Sequence, residues 1–312
     1  MTPPPGGRPT FRAAPLRVRV PATSANLGPG FDALGAALSL YDDVVAQVSD
    51  EPGVRVDVHG EGAESVARDQ RHLVAKSMLK GFDLLGGRPR GLDLVCANRI
   101  PHGRGLGSSA AAIVSGLVLA RALTVGGEER LPDDVLLDVA TGLEGHPDNV
   151  ASCLHGGVTV AWTRDDGSIH VLRVVPSDAV VPVVSVPSTS VPTRKARGML
   201  PATVPHADAA YNAARAALLV TALTSRPDLL LDATEDRLHQ GYRRTAYPRS
   251  LDLVAKLRAS GIPAAISGAG PTVLALADAV SAPRVEGLAG ARFETSVLEL
   301  DAEGARVLPL DA

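Results

Sequence analysis

The 312-residue chain predicts a mixed α+β fold in two lobes. Segments that alternate like strands interleave with segments of helical spacing along the whole length, without an internal repeat. A hydrophobic content of 45% with only 3% aromatic residues supplies a sizeable core built on Val, Leu, Ile and Ala. A stretch rich in Pro, Ser, Thr and Arg, Pro187 to Pro205, interrupts the pattern. It reads as a lobe boundary or as an element lying over a cleft.

The first residues, Thr2-Pro3-Pro4-Pro5-Gly6-Gly7, are those of a disordered tail, taken to end at Pro15. Arg17 to Val20, Val44 to Val48, Val54 to Val58 and Leu92 to Ala97 are patterned as strands. Arg71 to Leu85 has helical spacing through Leu73, Val74, Met78 and Phe82, and Gly86-Gly87 ends it. Small residues carry a further helix from Ser109 to Leu123, and Pro132-Asp133 opens another over Asp134 to Leu143. That helix delivers Glu144, His146 and Asn149 just past its end. Val158 to Trp162, Ile169 to Val175 and Val180 to Val186 follow as strands. Beyond the 187–205 loop, Ala207 to Leu223 and Leu229 to Leu238 are helical by periodicity. Leu251 to Ala259 is a helix with Ser250 as its N-cap and Gly261 closing it. Pro263 to Ile266, Val273 to Leu276 and Phe293 to Leu298 complete the series as strands.

Several function classes are disfavoured by composition. The formal net charge is −3 with both signs interspersed, so there is no basic stripe for nucleic acid or an anionic membrane. Few aromatics remain for base stacking. Cys96 and Cys153 are the only cysteines, each in an apolar stretch, and read as buried thiols in a reducing compartment. Two thiols do not make a structural zinc site, and the eight histidines lack ligand spacing. The most apolar stretch, Ala110 to Ala120, is ended by Arg121 and is too short to span a bilayer. With no secretory h-region either, a soluble cytoplasmic protein is expected.

The densest signal is Pro101-His102-Gly103-Arg104-Gly105-Leu106-Gly107-Ser108-Ser109-Ala110-Ala111. This is a glycine-rich turn running straight into a helix of small residues. The glycines let backbone approach an anion closely. Ser108 and Ser109 sit where the first helical N–H groups are unpaired and the helix dipole is positive, a terminus suited to phosphate. It is neither a Walker loop, which needs Gly-Lys-Ser/Thr, nor a G-x-G-x-x-G fingerprint.

Two further motifs flank it: Pro21 to Asp32, reading PATSANLGPGFD, and Ile266 to Thr272, reading ISGAGPT. With the glycine loop they resemble the three signature motifs of the GHMP small-molecule kinases. Glu144-Gly145-His146-Pro147-Asp148-Asn149-Val150 and the form of the first motif are similar to the homoserine kinase branch of that superfamily. The resemblance runs from about Leu16 to Ala277. It implies a two-lobed GHMP-kinase-like fold, with an ATP-binding lobe over 16–175 and a ferredoxin-like α+β lobe over 176–312. It also implies ATP and Mg²⁺ as cofactors and L-homoserine as acceptor, phosphorylated on its side-chain hydroxyl in threonine biosynthesis. A homodimer and feedback inhibition by L-threonine are further expectations of this kind.

Transfer of a phosphoryl group needs the triphosphate cradled, its charge neutralised and the acceptor held in line. A hydroxyl and a carboxylate suffice as protein ligands for Mg²⁺. Ser109, with Ser108 next, is the hydroxyl; Glu144 is the carboxylate, with Asp138 as the rival. Gly268 and Gly270 bracket the turn that the resemblance places against the glycine loop, and Arg104 within that loop reaches phosphate or solvent. A zwitterionic acceptor needs a carboxylate for its ammonium and guanidinium forks for its carboxylate. The resemblance gives Asn26 and Asp32 to the amino acid, Asp32 pairing its ammonium. It gives Arg197, four residues after Thr193, and Arg243 to the acceptor's carboxylate. Relatives carry Glu-Pro-Tyr-Arg where this chain reads Gln240-Gly241-Tyr242-Arg243, which leaves Arg244 as the alternative. His146 and Asn149 match residues beside the acceptor hydroxyl, and with Asp32 they are the expected catalytic set. No lysine stands in the first motif, where Arg17 and Arg19 lie, so positioning and electrostatics rather than base catalysis are expected to dominate. Arg71 to Lys76 and Asn98 are the candidates for adenine contact.

Overall fold

In the computed structural model, residues 8–310 are described, and they build two sheets. The chain begins the first sheet with β1 (Leu16–Ala25), β2 (Leu34–Ser49) and β3 (Gly53–Gly60). It crosses through α1 (Leu73–Leu84) to β4 (Gly91–Asn98), which pairs parallel to β3. Four helices follow: α2 (Ser108–Leu123), α3 (Gly127–Arg130), α4 (Asp133–Glu144) and α5 (Pro147–His155). β5 (Val158–Thr163) and β6 (Ile169–Val174) then join through β5 to β2.

β7 (Val181–Pro187) opens the second sheet, and the strap after it holds the short helix α6 (Thr193–Arg197). Then come α7 (His206–Thr224), α8 (Leu230–Ala233), α9 (Pro248–Ala259), β8 (Ala264–Ile266), β9 (Val273–Ala277), α10 (Ala282–Ala289) and β10 (Phe293–Val297). The order β10-β7-β9-β8 is antiparallel throughout. This is the ferredoxin-like arrangement expected of the second lobe. Finally β11 (Arg306–Leu308) returns to pair with β1.

The small-residue run makes α2 apolar on nearly every face, and it is correspondingly buried from Ala110 to Leu123 except at a few positions. It packs beside α1 and β1 in the larger core, with Val18, Val20, Phe82 and Leu117 fully buried. A register shift between Pro21 and Ala22 bends β1 where proline has no N–H to give the ladder. The shift carries the second half of β1, Ala22 to Ala25, toward the first sequence motif.

Several elements differ from the sequence expectation. Of the tail, residues 1–7 lie outside the described residues, but Phe11 bridges Thr124 and stacks edge-on against Phe82 at 5.3 Å. Residues 8–15 thus belong to the packed fold. The division at 175/176 does not follow the cores: Leu219, Leu223 and Leu230 of α7 and α8 share the first core, and β11 extends the first sheet. The helix expected over Leu229 to Leu238 stops at Ala233. Beyond it the Asp236 carboxylate accepts the N–H groups of Leu238, His239 and Gln240 and substitutes a turn. Ser250 is not an N-cap, because α9 starts at Pro248; its hydroxyl donates to Pro271 O at 2.6 Å. Asn149 lies not in a loop but inside α5, whose start is marked by Pro147 at the first helical position. Both cysteines are free and buried, and burial pushes the Cys96 thiol up to about 12. Among the described residues no helix is long and apolar enough to cross a membrane.

Candidate active site

The three motifs, far apart in sequence, meet backbone to backbone. Thr23 N–H donates to Leu106 O at 3.0 Å, and Gly268 N–H donates to Ala25 O at 3.0 Å. Thr272 N–H reaches Arg104 O at 3.2 Å. The Ser267 hydroxyl donates to Gly105 O at 2.5 Å and lies 2.8 Å from Ser24 Oγ. Gly105 and Gly107 need their glycines: both have left-handed backbone, φ +80° and +70°. A Cβ at Gly105 would overlap the Ser267 carbonyl oxygen, and one at Gly107 would overlap Thr23 Oγ1.

At the N-terminus of α2 the Ser109 hydroxyl donates to Glu144 Oε1 at 2.6 Å. Glu144 reaches it from the last residue of α4. Asp138, the rival carboxylate, instead accepts Ile169 N–H at 2.8 Å. Next to Glu144, His146 is the N-cap residue of α5, with Nδ1 2.5 Å from Asp148 Oδ1 and Nε2 3.9 Å from Glu144 Oε1. Burial works against its charged form, but the hydrogen bond and charge of Asp148 outweigh it and hold the imidazole above 6.5. Asp148 also accepts Asn149 N–H at 2.7 Å, and the Thr23 hydroxyl donates to Asn149 Oδ1 at 2.7 Å. Its amide nitrogen donates one N–H to Asp148 Oδ1 at 3.4 Å, which leaves the second N–H to offer.

The expected acceptor residues gather on the opposite wall. Asn26, Leu27 and Asp32 all have positive φ, 68°, 49° and 56°, a cost borne at a loop the surroundings hold firmly. Asn26 Nδ2 donates to Gly268 O and its Oδ1 accepts Asp32 N–H, both at 3.0 Å. Arg197 forms a two-point ion pair with Asp32, at 3.0 and 2.6 Å. Arg243 is 1% exposed, donates to Ala196 O at 3.1 Å and faces His239 Nδ1 at 3.1 Å. His239 Nε2 must donate to Gly28 O at 2.7 Å, so its Nδ1 accepts and the ring is neutral; burial first, with the Arg243 charge adding, lowers its pKa. Arg244 lies outside, paired with Asp252.

Two cavities share Ser108 and Ser109. One, of about 190 Å³, is lined by Asn26, Glu144, His146, Asn149, Thr193, Arg197 and Arg243 together with Gly103, Gly105, Gly107 and Gly268. The other, of about 380 Å³, is lined largely by apolar groups with Arg71, His72, Asn98, His102 and Ala111. Pro101, Arg104, Leu106, Ala110, Gly270 and Asp32 line neither cavity. Arg104 instead holds the strap, donating to Pro187 O and Ser188 O at 3.1 Å each. Sequence reading passed over Thr23, Phe31, Asp148 and His239, of which Thr23 and Phe31 lie inside the first motif.

The larger cavity also contains Asp42, 5% exposed, whose Oδ1 accepts Arg99 N–H and Ile100 N–H at 2.6 and 2.9 Å. Burial outweighs these two bonds and pushes its pKa up to about 6, from an ordinary 3.8. The folded state therefore holds this proton more tightly than the unfolded chain. The resulting stabilisation is complete below pH 3.8 and is lost as pH rises through about 6. Asparagine at this position keeps the acceptor and loses the titration. Asp42→Asn is expected to gain about 3 kcal/mol relative to wild type between pH 3.8 and pH 7. Urea unfolding across that range checks it; parallel stability curves would refute it.

Comparison with known proteins agrees with this geometry. Residues 72–157 match the GHMP kinases N terminal domain and residues 206–287 the GHMP kinases C terminal domain. Fold and site thus define a GHMP kinase, an ATP-using class of phosphotransferase. The homoserine kinase of Streptomyces coelicolor is 64% identical over 302 residues, covering 97% of each chain. That of Streptomyces avermitilis is 64% identical over 304 residues, covering 97% of this chain and 99% of the relative. A crystal structure of homoserine kinase from Cytophaga hutchinsonii has a TM-score of 0.84 at 26% identity, covering 96% of this chain and 98% of that one. The chain belongs to the homoserine kinase family.

Proposed function

We propose that the chain transfers the γ-phosphoryl group of Mg-ATP to the side-chain hydroxyl of L-homoserine, giving O-phospho-L-homoserine and ADP. One observation carries this reading: the Ser109–Glu144 pair, Asn149, Arg197 and Arg243 all line a single cavity at the N-terminus of α2. The nucleoside would occupy the larger cavity beside Arg71, His72 and Asn98. Its phosphates would lie across Ser108 and Ser109, the residues common to both cavities, against unpaired helix N–H groups.

Ser109 Oγ and Glu144 would hold Mg²⁺, since both are oxygen donors of the kind this ion takes. The bound ion would neutralise charge on the transferring phosphoryl group. Arg197 and Arg243 would take the acceptor's carboxylate. The Asp32 carboxylate would take its ammonium, in a corner where Asp32, His146 and Asp148 have ligating atoms within 4.8 Å of one another. Mg²⁺ is less suited to that corner because it contains an imidazole. Asn149 would position the hydroxyl through the second N–H of its amide, the first being given to Asp148.

Among the described residues no lysine lines the cavity. The nearby Glu144 and Asp148 are engaged by Ser109 and His146. Neither of these two carboxylates therefore stands ready as a general base, and a loose transition state needs little proton removal beforehand. L-threonine presents the same two charges and would compete for the pocket.

The test is ADP release from Mg-ATP with L-homoserine, L-serine, L-threonine, mevalonate, shikimate and galactose offered separately. Turnover confined to L-homoserine is the expected result. Turnover with another acceptor alone would keep the phosphate site and overturn the acceptor assignment.

A further inference from the structure

The Asp32–Arg197 ion pair borders the smaller cavity: Arg197 lines it, and the Asp32 carboxylate lies within 4.8 Å of His146 and Asp148, which line it too. Asp32 is fixed by its left-handed backbone and by the Asn26 side chain, which accepts its N–H at 3.0 Å. Arg197 ends α6, where Arg243 holds the preceding carbonyl, Ala196 O, at 3.1 Å. Both guanidinium groups face the Phe31 ring, at 5.6 and 5.8 Å from its centroid. The strap carrying α6 is tied to the glycine loop by Arg104 and by Val191 N–H donating to Gly103 O at 2.9 Å. Thus a bond between two opposite charges links the first-motif loop to the strap beside the cavity.

A zwitterion can enter such a pair without leaving any charge alone. Its ammonium takes Asp32 and its carboxylate takes Arg197, so every charge is paired again. A molecule with one charge breaks the same pair, satisfies one partner and strands the other in a half-buried site. We infer that the Asp32–Arg197 pair is a two-charge lock that makes the enzyme reject alcohols carrying only an ammonium or only a carboxylate. The inference rests on the acceptor assignment proposed above and adds to it a mechanism of exclusion. Rejection comes from the intact pair, in addition to any contact the poorer ligand lacks.

The lock makes a counterintuitive demand on Asp32→Asn. Asparagine is nearly isosteric and tolerates positive φ, so the loop keeps its shape. L-Homoserine should lose kcat/KM on the order of a hundredfold, because its ammonium loses a charged partner. 4-Hydroxybutyrate has the same hydroxyl and carboxylate but no ammonium. Its kcat/KM should rise about tenfold, because Arg197 is already free and nothing is stranded.

Removing a repelling charge alone would also help a carboxylate. Amide hydrogen exchange over residues 193–200 separates the two explanations. If the pair locks the strap, exchange there speeds up in Asp32→Asn and not elsewhere in the lobe. A fall for both substrates, or a gain for 4-hydroxybutyrate with unchanged exchange at 193–200, would overturn the lock. Absence of wild-type turnover with L-homoserine would instead overturn the proposed function, so the two failures are distinguishable.

Discussion

Gly105→Ala is expected to reduce phosphoryl transfer at least a hundredfold and to lower the melting temperature. Two costs act together. The residue has φ +80°, where an L side chain costs about 1–2 kcal/mol. Its new Cβ would also overlap Ser267 O and stand 3.0 Å from both Gly270 N and Gly270 O. These neighbours are backbone atoms of the third motif, so no flexible side chain can give way. Relief requires the glycine loop to pull off that motif. Doing so breaks the 2.5 Å bond from Ser267 Oγ to Gly105 O and moves Ser108 and Ser109 away from Glu144. Gly142→Ala is the control: it lies in α4 with nothing within 4 Å of an added Cβ. That change should leave turnover alone and stabilise the helix by roughly 0.5–1 kcal/mol. Initial rates and thermal melts of both variants decide the matter. A Gly105→Ala enzyme of wild-type rate would mean that the loop does not cradle phosphate.

What could be read from sequence divides by the range of the constraint. The glycine loop is legible because its requirements are local: positive φ at Gly103, Gly105 and Gly107, then a helix of small residues. The choice between Glu144 and Asp138 is not local. Both lie on α4, and only the packing of that helix turns one toward Ser109 and the other toward β6. α5 is nine residues long and begins directly at a cap, so its apolar spacing is too brief to stand out, although Pro147 was a usable signal. The Leu229 to Leu238 stretch had the right periodicity for a helix. Its outcome was set by Asp236, which draws three following N–H groups into a turn. β11 is three residues long and is defined only by its partner, β1. Asp32 and Arg197 are separated by 165 positions, and nothing in either neighbourhood says that they bond each other. Family resemblance supplied each residue with a role toward a ligand, but not their relation to one another.

Glu144→Gln should lower kcat on the order of a hundred- to a thousandfold and raise the Mg²⁺ concentration needed for half-maximal rate. The substitution is chosen to isolate charge. Glutamine keeps an oxygen that can accept the Ser109 hydroxyl at the present 2.6 Å, so the end of α4 need not move. What disappears is the negative charge of the oxygen pair proposed to hold the ion. The same charge also favours the charged form of His146, whose Nε2 lies 3.9 Å away, so the imidazole pKa should fall in the variant. Asp138→Asn provides the contrast, because that carboxylate accepts Ile169 N–H and lines neither cavity. It should leave both kcat and the Mg²⁺ midpoint as they are. Rates measured across a Mg²⁺ titration at fixed ATP distinguish the two carboxylates. A normal Glu144→Gln enzyme alongside a Mg²⁺-hungry Asp138→Asn enzyme would move the metal site to the other face of α4. Equal, intact titrations for both would remove the two α4 carboxylates from metal binding.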